Sequence, residues 1–168
     1  SPEDMFKVKR TPVDVVLPTG TAVLNANDRL VADMASLSAG SVTFFSVDPE
    51  NSLIQNHRAA GHRAVITRDS QVILCEGTQE TVLISLVDLP CTHGGRVGFQ
   101  AENVLAAAAA SWALGIPLKT IAAGLQAFQG NLIDNPARFN VLQSAEKTLI
   151  LTDGRNLSSL STMVEALK

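Results

Sequence analysis

Thr152, Asp153, Arg155 and Asn156 fall within one short polar loop, in the stretch LTDGRNLSSL that closes an apolar run and opens an amphipathic one. A hydroxyl, a carboxylate, a guanidinium and a carboxamide between a strand and a helix can hold a nucleotide or a polar substrate. Free backbone N–H groups and short polar side chains converge at such a junction. A second loop, THGGRVG (92–98), has the glycines of a phosphate cradle. It lacks the lysine and hydroxyl that complete one, and reads as a plain loop. The chain contains no GxxxxGK[ST] phosphate loop, no GxGxxG and no GxSxG nucleophile elbow. His57 and His62 are five residues apart with Gly61 between them. That spacing is poor for a metal on a helix, so these two and His93 read as surface residues. Cys75 and Cys91 form no CxxC pair, which argues against a zinc or redox centre. Cys75, within an apolar run, reads as a small core residue. Cys91, after Pro90, is expected in an exposed loop.

The elements that must position these groups are read from periodicity and turn signals. VDVVLP (13–18) and TAVLNA (21–26), separated by Thr19-Gly20, predict a hairpin or one strand leaving it. Asp28 can cap the helix RLVADMASL. SVTFFSV (41–47) is a continuous apolar run, as expected of a strand buried on both faces. A polar helix is expected near ENSLIQNHRAAG. RAVITRD, QVILCEG and ETVLISLVDL come next with tight turns, and predict antiparallel strands added to a sheet edge. FQAENVLAAAAASWALG (99–115) predicts an Ala-rich helix packed closely on a sheet and stopped by Gly115 and Pro117. IPLKTIAAGLQAFQG (116–130) predicts a second helix. NLIDNPARF (131–139) reads as a linker, followed by strands RFNVLQS and KTLILTD and a helix over 158–168. A strand pair and one helix cannot bury a core alone. Residues after about 134 are therefore expected to begin a second domain that continues past Lys168.

Hydrophobic residues make up 46% and charged residues 17% of the 168, a globular balance that argues against disorder. A net charge of −3 gives no basic footprint for nucleic acid and no pull toward an anionic membrane. With no Tyr and a single Trp, a base-stacking surface is not expected. No apolar run is long enough to span a bilayer and SPEDMFKVKR has no apolar signal core, so the expectation is a cytoplasmic protein.

Four stretches, in order, resemble the Mur ligase family, most closely the Mur-ligase-like module of the cyanophycin synthetases. KVKRTPVDVVLPTGTAVLNANDRLV (7–31) is similar to the segment ending in an asparagine-alanine-acid-acid pattern. THGGRVGFQAENVLAAAAASWALGIPL (92–118) is similar to the module's loop and helix, and is the most specific of the four. DNPARFNVL (134–142) is similar to a proline-glycine-arginine-phenylalanine hinge. LTDGRNLSSL falls where the family has aspartate-tyrosine-glycine-histidine-asparagine-proline.

The resemblance implies an α/β fold. Residues 1–133 would form the second half of a central ATPase domain, a mixed sheet flanked by helices. Residues 134–168 would begin a Rossmann-like C-terminal lid. It implies ATP and Mg2+ as cofactors of a longer parent protein, with the phosphate loop and an ATP-grasp region upstream of Ser1. The implied reaction activates a carboxylate as an acyl phosphate and joins an amine to it: arginine onto the side chains of a poly-aspartate backbone. The implied partners are aspartate, arginine, a cyanophycin primer, the rest of the parent chain and further copies in a homo-oligomer.

Carried residue by residue, the resemblance places Asn103 against adenine, whose edge a carboxamide suits by donating and accepting at once. It places Arg138 at the ribose or phosphates, with Gln100 nearby and Asp153 and Asn156 on the nucleotide side. Thr152 and Arg155 would belong to the substrate or lid loop. Without the resemblance, Asn103 is a polar residue at a helix start and Arg138 an exposed linker arginine. Asn25 and Asp28 match the central pattern, or are a strand end and an N-cap. Thr152 stands where the family has aspartate, Asp153 where it has tyrosine, Arg155 where it has histidine and Leu157 where it has proline. Asn27 replaces an acid and Ala137 the hinge glycine. No catalytic residue and no metal ligand is assigned within the chain, and the isolated chain is expected to be inactive. Two alternatives stand beside the ligase reading. One is a catalytically degenerate module serving as a scaffold in a paralogue that polymerises ready-made dipeptides. The other is a stand-alone structural or binding domain.

Overall fold

The computed structural model describes residues 2–133, 135–153 and 157–166. It is a mixed α/β structure with a five-stranded sheet and a separate two-stranded one. Helices α1 (Pro2–Lys9) and α2 (Thr11–Asp14) lead into β1 (Thr21–Asn25), α3 (Arg29–Asp33), β2 (Ser41–Ser46) and α4 (Ser52–Ala59). Strands β3 (Arg63–Arg68), β4 (Gln71–Glu76) and β5 (Gln79–Ser85) come next. Helices α5 (Gly98–Ala113) and α6 (Leu118–Ala127) precede the hairpin β6 (Arg138–Ser144) and β7 (Lys147–Thr152), and α7 (Leu157–Ala166) comes after it. The large sheet runs β1-β2-β3-β4-β5. β1, β2 and β3 are parallel, in register Thr21↔Ser41 and Phe44↔Ala64, while β4 and β5 are added antiparallel.

Residues 13–18 do not form the expected strand. Pro12 opens α2, and Val13 is buried beneath the sheet. The Gly20 amide donates to the Leu17 carbonyl at 2.8 Å, a turn that delivers the chain into β1. Prolines 12 and 18 bracket the segment and remove ladder donors, so local apolar content alone cannot make it a strand. β1 instead takes β2 as a parallel partner across α3, and no hairpin forms. The crossover is tight: a Cβ on Gly40 would collide with the carbonyl oxygens of Gly20 and Leu17, so the backbones meet there only because the side chain is absent.

The alternation along the central strands feeds two cores. Phe45, Val65, Val72 and Leu74 face α5, where Val104, Leu105, Ala108 and Ala109 are buried against them. Phe44, Ala64, Ile66 and Cys75 face the other way, toward Ile54 of α4 and Met34. Both faces being covered, these strands read as unbroken apolar runs. Ala108 and Ala109 are fully buried, and their lack of bulk lets α5 lie close on the sheet. The helix ends where Gly115 takes φ +74°. Asp28 caps α3, its Oδ1 accepting from the amides of Leu30 at 3.0 Å and Val31 at 3.2 Å.

Two side chains differ from expectation. Cys91 is buried, 4% exposed, because the turn after Pro90 folds inward against α5; burial pushes its thiol pKa up, as it does for Cys75. His57 is half-buried rather than on the surface: its Nε2 lies 3.1 Å from the Val42 carbonyl and its ring meets the edge of Phe44 and tilts on His62. Burial pushes its pKa below the ordinary histidine value.

Glu80 of β5 ties three elements together. Its carboxylate accepts from Arg68 at 2.7 and 3.0 Å and from Arg58 of α4 at 2.6 Å. The Arg68 hydrogen bonds, and then Arg58, bring its pKa down from 4.5 to about 2 against the opposing effect of burial. A carboxylate with a lowered folded pKa stabilises fully above its unfolded value, and that contribution disappears as pH falls toward the folded one. Between pH 4.5 and about 2, the melting temperature of the native chain is therefore expected to fall more steeply than that of Glu80→Gln. Thermal melts at half-unit pH steps check this; parallel curves would remove Glu80 from the acid limb.

Candidate functional site

Gln100, Asn103, Arg138, Thr152 and Asp153, five of the polar residues singled out from sequence, meet at one cleft. The first turns of α5 supply Phe99, Gln100 and Asn103, and the end of β7 supplies Thr152 and Asp153. The segment entering β6 supplies Asn135 and Ala137, the first residue of β6 supplies Arg138, and the cleft encloses about 390 Å³. The two ends of the hairpin come together because Arg138 pairs with Thr152 across the ladder. The Asp153 amide also donates to the Ala137 carbonyl at 2.8 Å. Asn140, 2% exposed, pins the entry segment: its Nδ2 donates to the carbonyls of Gly130 at 2.8 Å and Asn135 at 3.0 Å. Its Oδ1 is the buried side-chain oxygen left without a partner among the described residues.

Asn103 donates from Nδ2 to Oε1 of Gln100 at 3.1 Å. Gln100 is 5% exposed, so the bond fixes which way two carboxamides face, with Asn103 outermost. Arg138 is exposed within the cleft and brings a guanidinium fork within the same space as the Asp153 carboxylate. The cleft thus offers amide donors and acceptors on the α5 wall and a cation on the opposite wall. Such a pairing can read a heterocycle edge and hold an anionic group at once. An apolar cavity of about 470 Å³ adjoins it between α5 and α6, sharing Gln100 and Asn103 and lined further by Cys91, Val104, Ile121 and Phe128.

Gln100, Asn103, Arg138, Thr152 and Asp153 are brought together; Arg155 and Asn156 lie outside the described residues. Asn25 and Asp28 are elsewhere. Asn25 accepts the Asn27 amide at 2.9 Å, and Asp28 caps α3. Phe99, Asn135 and Asn140 were not singled out by sequence. The one signal for them was Asn140 itself, a poor strand former set inside a predicted strand. Among the described residues no group of three or more His, Cys, Asp or Glu side chains is placed to hold a metal ion. No helix among them is long and apolar enough to cross a membrane.

Fold and cleft together define a mixed α/β protein whose polar cleft lies where a helix start meets the two ends of a hairpin. No family model matches the chain. The cyanophycin synthetase of Crocosphaera subtropica is 31% identical over 166 residues, which is 99% of this chain and 19% of that protein. That of Synechocystis sp. is 36% identical over 139 residues, 83% of this chain and 16% of that protein. That of Geminocystis herdmanii is 29% identical over 154 residues, 92% of this chain and 18% of that protein. The chain is related to one segment of the cyanophycin synthetases, and it spans less than a fifth of the length of these relatives.

Proposed function

We propose that the chain is the nucleotide-facing part of a Mur-ligase-type module in a cyanophycin-synthetase-like, ATP-dependent amide ligase. Residues 1–133 are read as the distal part of the central ATPase domain, and 134–168 as the start of the lid. The observation that supports this most is the convergence of Gln100, Asn103, Arg138, Thr152 and Asp153 on one cleft. In this reading the Asn103–Gln100 pair meets the adenine edge and Arg138 meets the ribose or phosphates. Asp153, with Asn156 beyond it in sequence, faces the nucleotide, and Thr152 and Arg155 belong to the substrate or lid loop. The module joins arginine to side-chain carboxylates of poly-aspartate by way of an acyl phosphate. The Asn103 and Arg138 side chains orient the nucleotide, and lid closure keeps water from the activated carboxylate. The 168 residues contain no phosphate loop, so the chain alone is read as inactive.

Thr152 stands where the family has an acid, which favours a second reading: a scaffold module in an enzyme that polymerises dipeptides. A polymerisation assay on the longer parent separates the two. It contains primer, ATP and Mg2+, with aspartate plus arginine in one reaction and β-aspartyl-arginine in the other. Incorporation of free arginine is the expected result. Growth only from the dipeptide would replace the ligase reading with the scaffold.

A further inference from the structure

Arg138 sits between two residues with left-handed backbone. Ala137 has φ +58° and Phe139 φ +62°, a conformation that residues with a Cβ adopt at a cost and keep only when their surroundings enforce it. The enforcing contacts are visible at Phe139. Its side chain is buried, 4% exposed. Its ring meets His93 edge-on at 5.8 Å between centroids, and Phe99 edge-on at 5.4 Å. His93 belongs to the loop 92–98, where it too is left-handed at φ +51°. Phe99 lies in the first turn of α5, beside Gln100 and one turn from Asn103. A single ring therefore joins the glycine loop, the helix that carries the carboxamides and the strand that carries the cation. Rotation about the Phe139 backbone would swing Arg138 away from the α5 wall.

We propose that Phe139 is a positioning residue: its ring, held between His93 and Phe99, fixes Arg138 at the mouth of the cleft. The ring positions the guanidinium without touching a ligand. The binding consequence rests on the nucleotide reading above; the structural consequence does not.

The test uses the 168-residue chain and three variants. His93→Asn keeps a residue tolerant of left-handed backbone but removes the ring at an exposed site. Phe139→Leu keeps most of the volume without the aromatic edge, and Phe139→Tyr restores the ring. Amide hydrogen exchange is measured at Asp153, whose N–H bonds the Ala137 carbonyl, with the β3 amides as internal reference. Losing one edge-to-face pair in His93→Asn is expected to speed exchange at Asp153 about five- to tenfold, and Phe139→Leu, which loses both pairs, at least as much. The β3 amides stay unchanged, and Phe139→Tyr returns exchange to the native rate. An ATP titration of the same samples is expected to weaken by a similar factor. Native exchange at Asp153 in a folded His93→Asn chain overturns the proposal, whatever Phe139→Leu does. Faster exchange at Asp153 with no ATP binding in the native chain upholds the positioning role and counts against the nucleotide reading instead.

Discussion

Replacing Arg138 with alanine is expected to weaken ATP binding about 10- to 100-fold, since one charge-assisted hydrogen bond contributes about 1.5–3 kcal/mol. The side chain is exposed in the cleft, so its removal leaves no buried partner behind, and the melting temperature should hold. Arg138→Lys keeps the charge and loses the planar fork. It should fall between the native chain and alanine if the fork grips a phosphate or ribose edge. Calorimetric titration at two ionic strengths separates the contributions: the affinity of the native chain should drop with salt more steeply than that of Arg138→Ala. The same substitution in the parent should raise KM for ATP before it lowers kcat. Equal affinities for native and alanine chains would remove Arg138 from the site and leave it an exposed arginine at a strand start.

The largest stability effect is expected at the contact between α5 and the sheet. Leu105 is fully buried against the sheet face that carries Phe45, Val65, Val72 and Leu74. Leu105→Ala removes buried methyl groups and leaves a cavity, at a cost of about 2–5 kcal/mol. For a chain of this size that is a fall on the order of 10 °C in melting temperature. Ala108→Leu probes the same interface from the other side. There the lack of bulk sets the helix-to-sheet distance, and overpacking costs about 1–3 kcal/mol. Gln100 and Asn103 ride on the same helix, so Ala108→Leu should also disturb the cleft, whereas Leu105→Ala should mostly lower stability. Denaturant melts combined with the ATP titration check both. A Leu105→Ala chain melting within about two or three degrees of native would mean α5 is not held by this core.

The sequence carried the class of most elements because their signals are local. The apolar run SVTFFSV is β2, the tightly turned β-branched runs are β3, β4 and β5, and the Ala-rich stretch ended by Gly115 is α5. Asp28 was legible as a cap because a short carboxylate stands directly before the apolar-periodic residues of α3. VDVVLP misled because β-branched content says nothing about whether a partner strand exists; β1 had a better one across α3. Cys91 misled for a related reason. A residue after Pro90 belongs to a turn, but only packing decides whether that turn faces solvent or α5.

The candidate site divides the same way. Residue type and order pointed to Asn103, Arg138 and the loop at 152–156, through resemblance and through the chemistry of amides, cations and polar loops. What brings Asn103 to Arg138 and Thr152 is long-range: the β6–β7 ladder, the Asp153 to Ala137 hydrogen bond, and the hydrogen bonds from Asn140 to the carbonyls of Gly130 and Asn135. The orientation of Gln100 and Asn103 toward each other, and the left-handed backbone on either side of Arg138, are likewise properties of the packed chain. By itself the sequence determined which segments are helix and strand and which side chains can do chemistry, since propensity, capping and periodicity act over a few residues. The tertiary structure alone decided which of those side chains share a cleft and which way they face, since that depends on contacts between residues tens of positions apart.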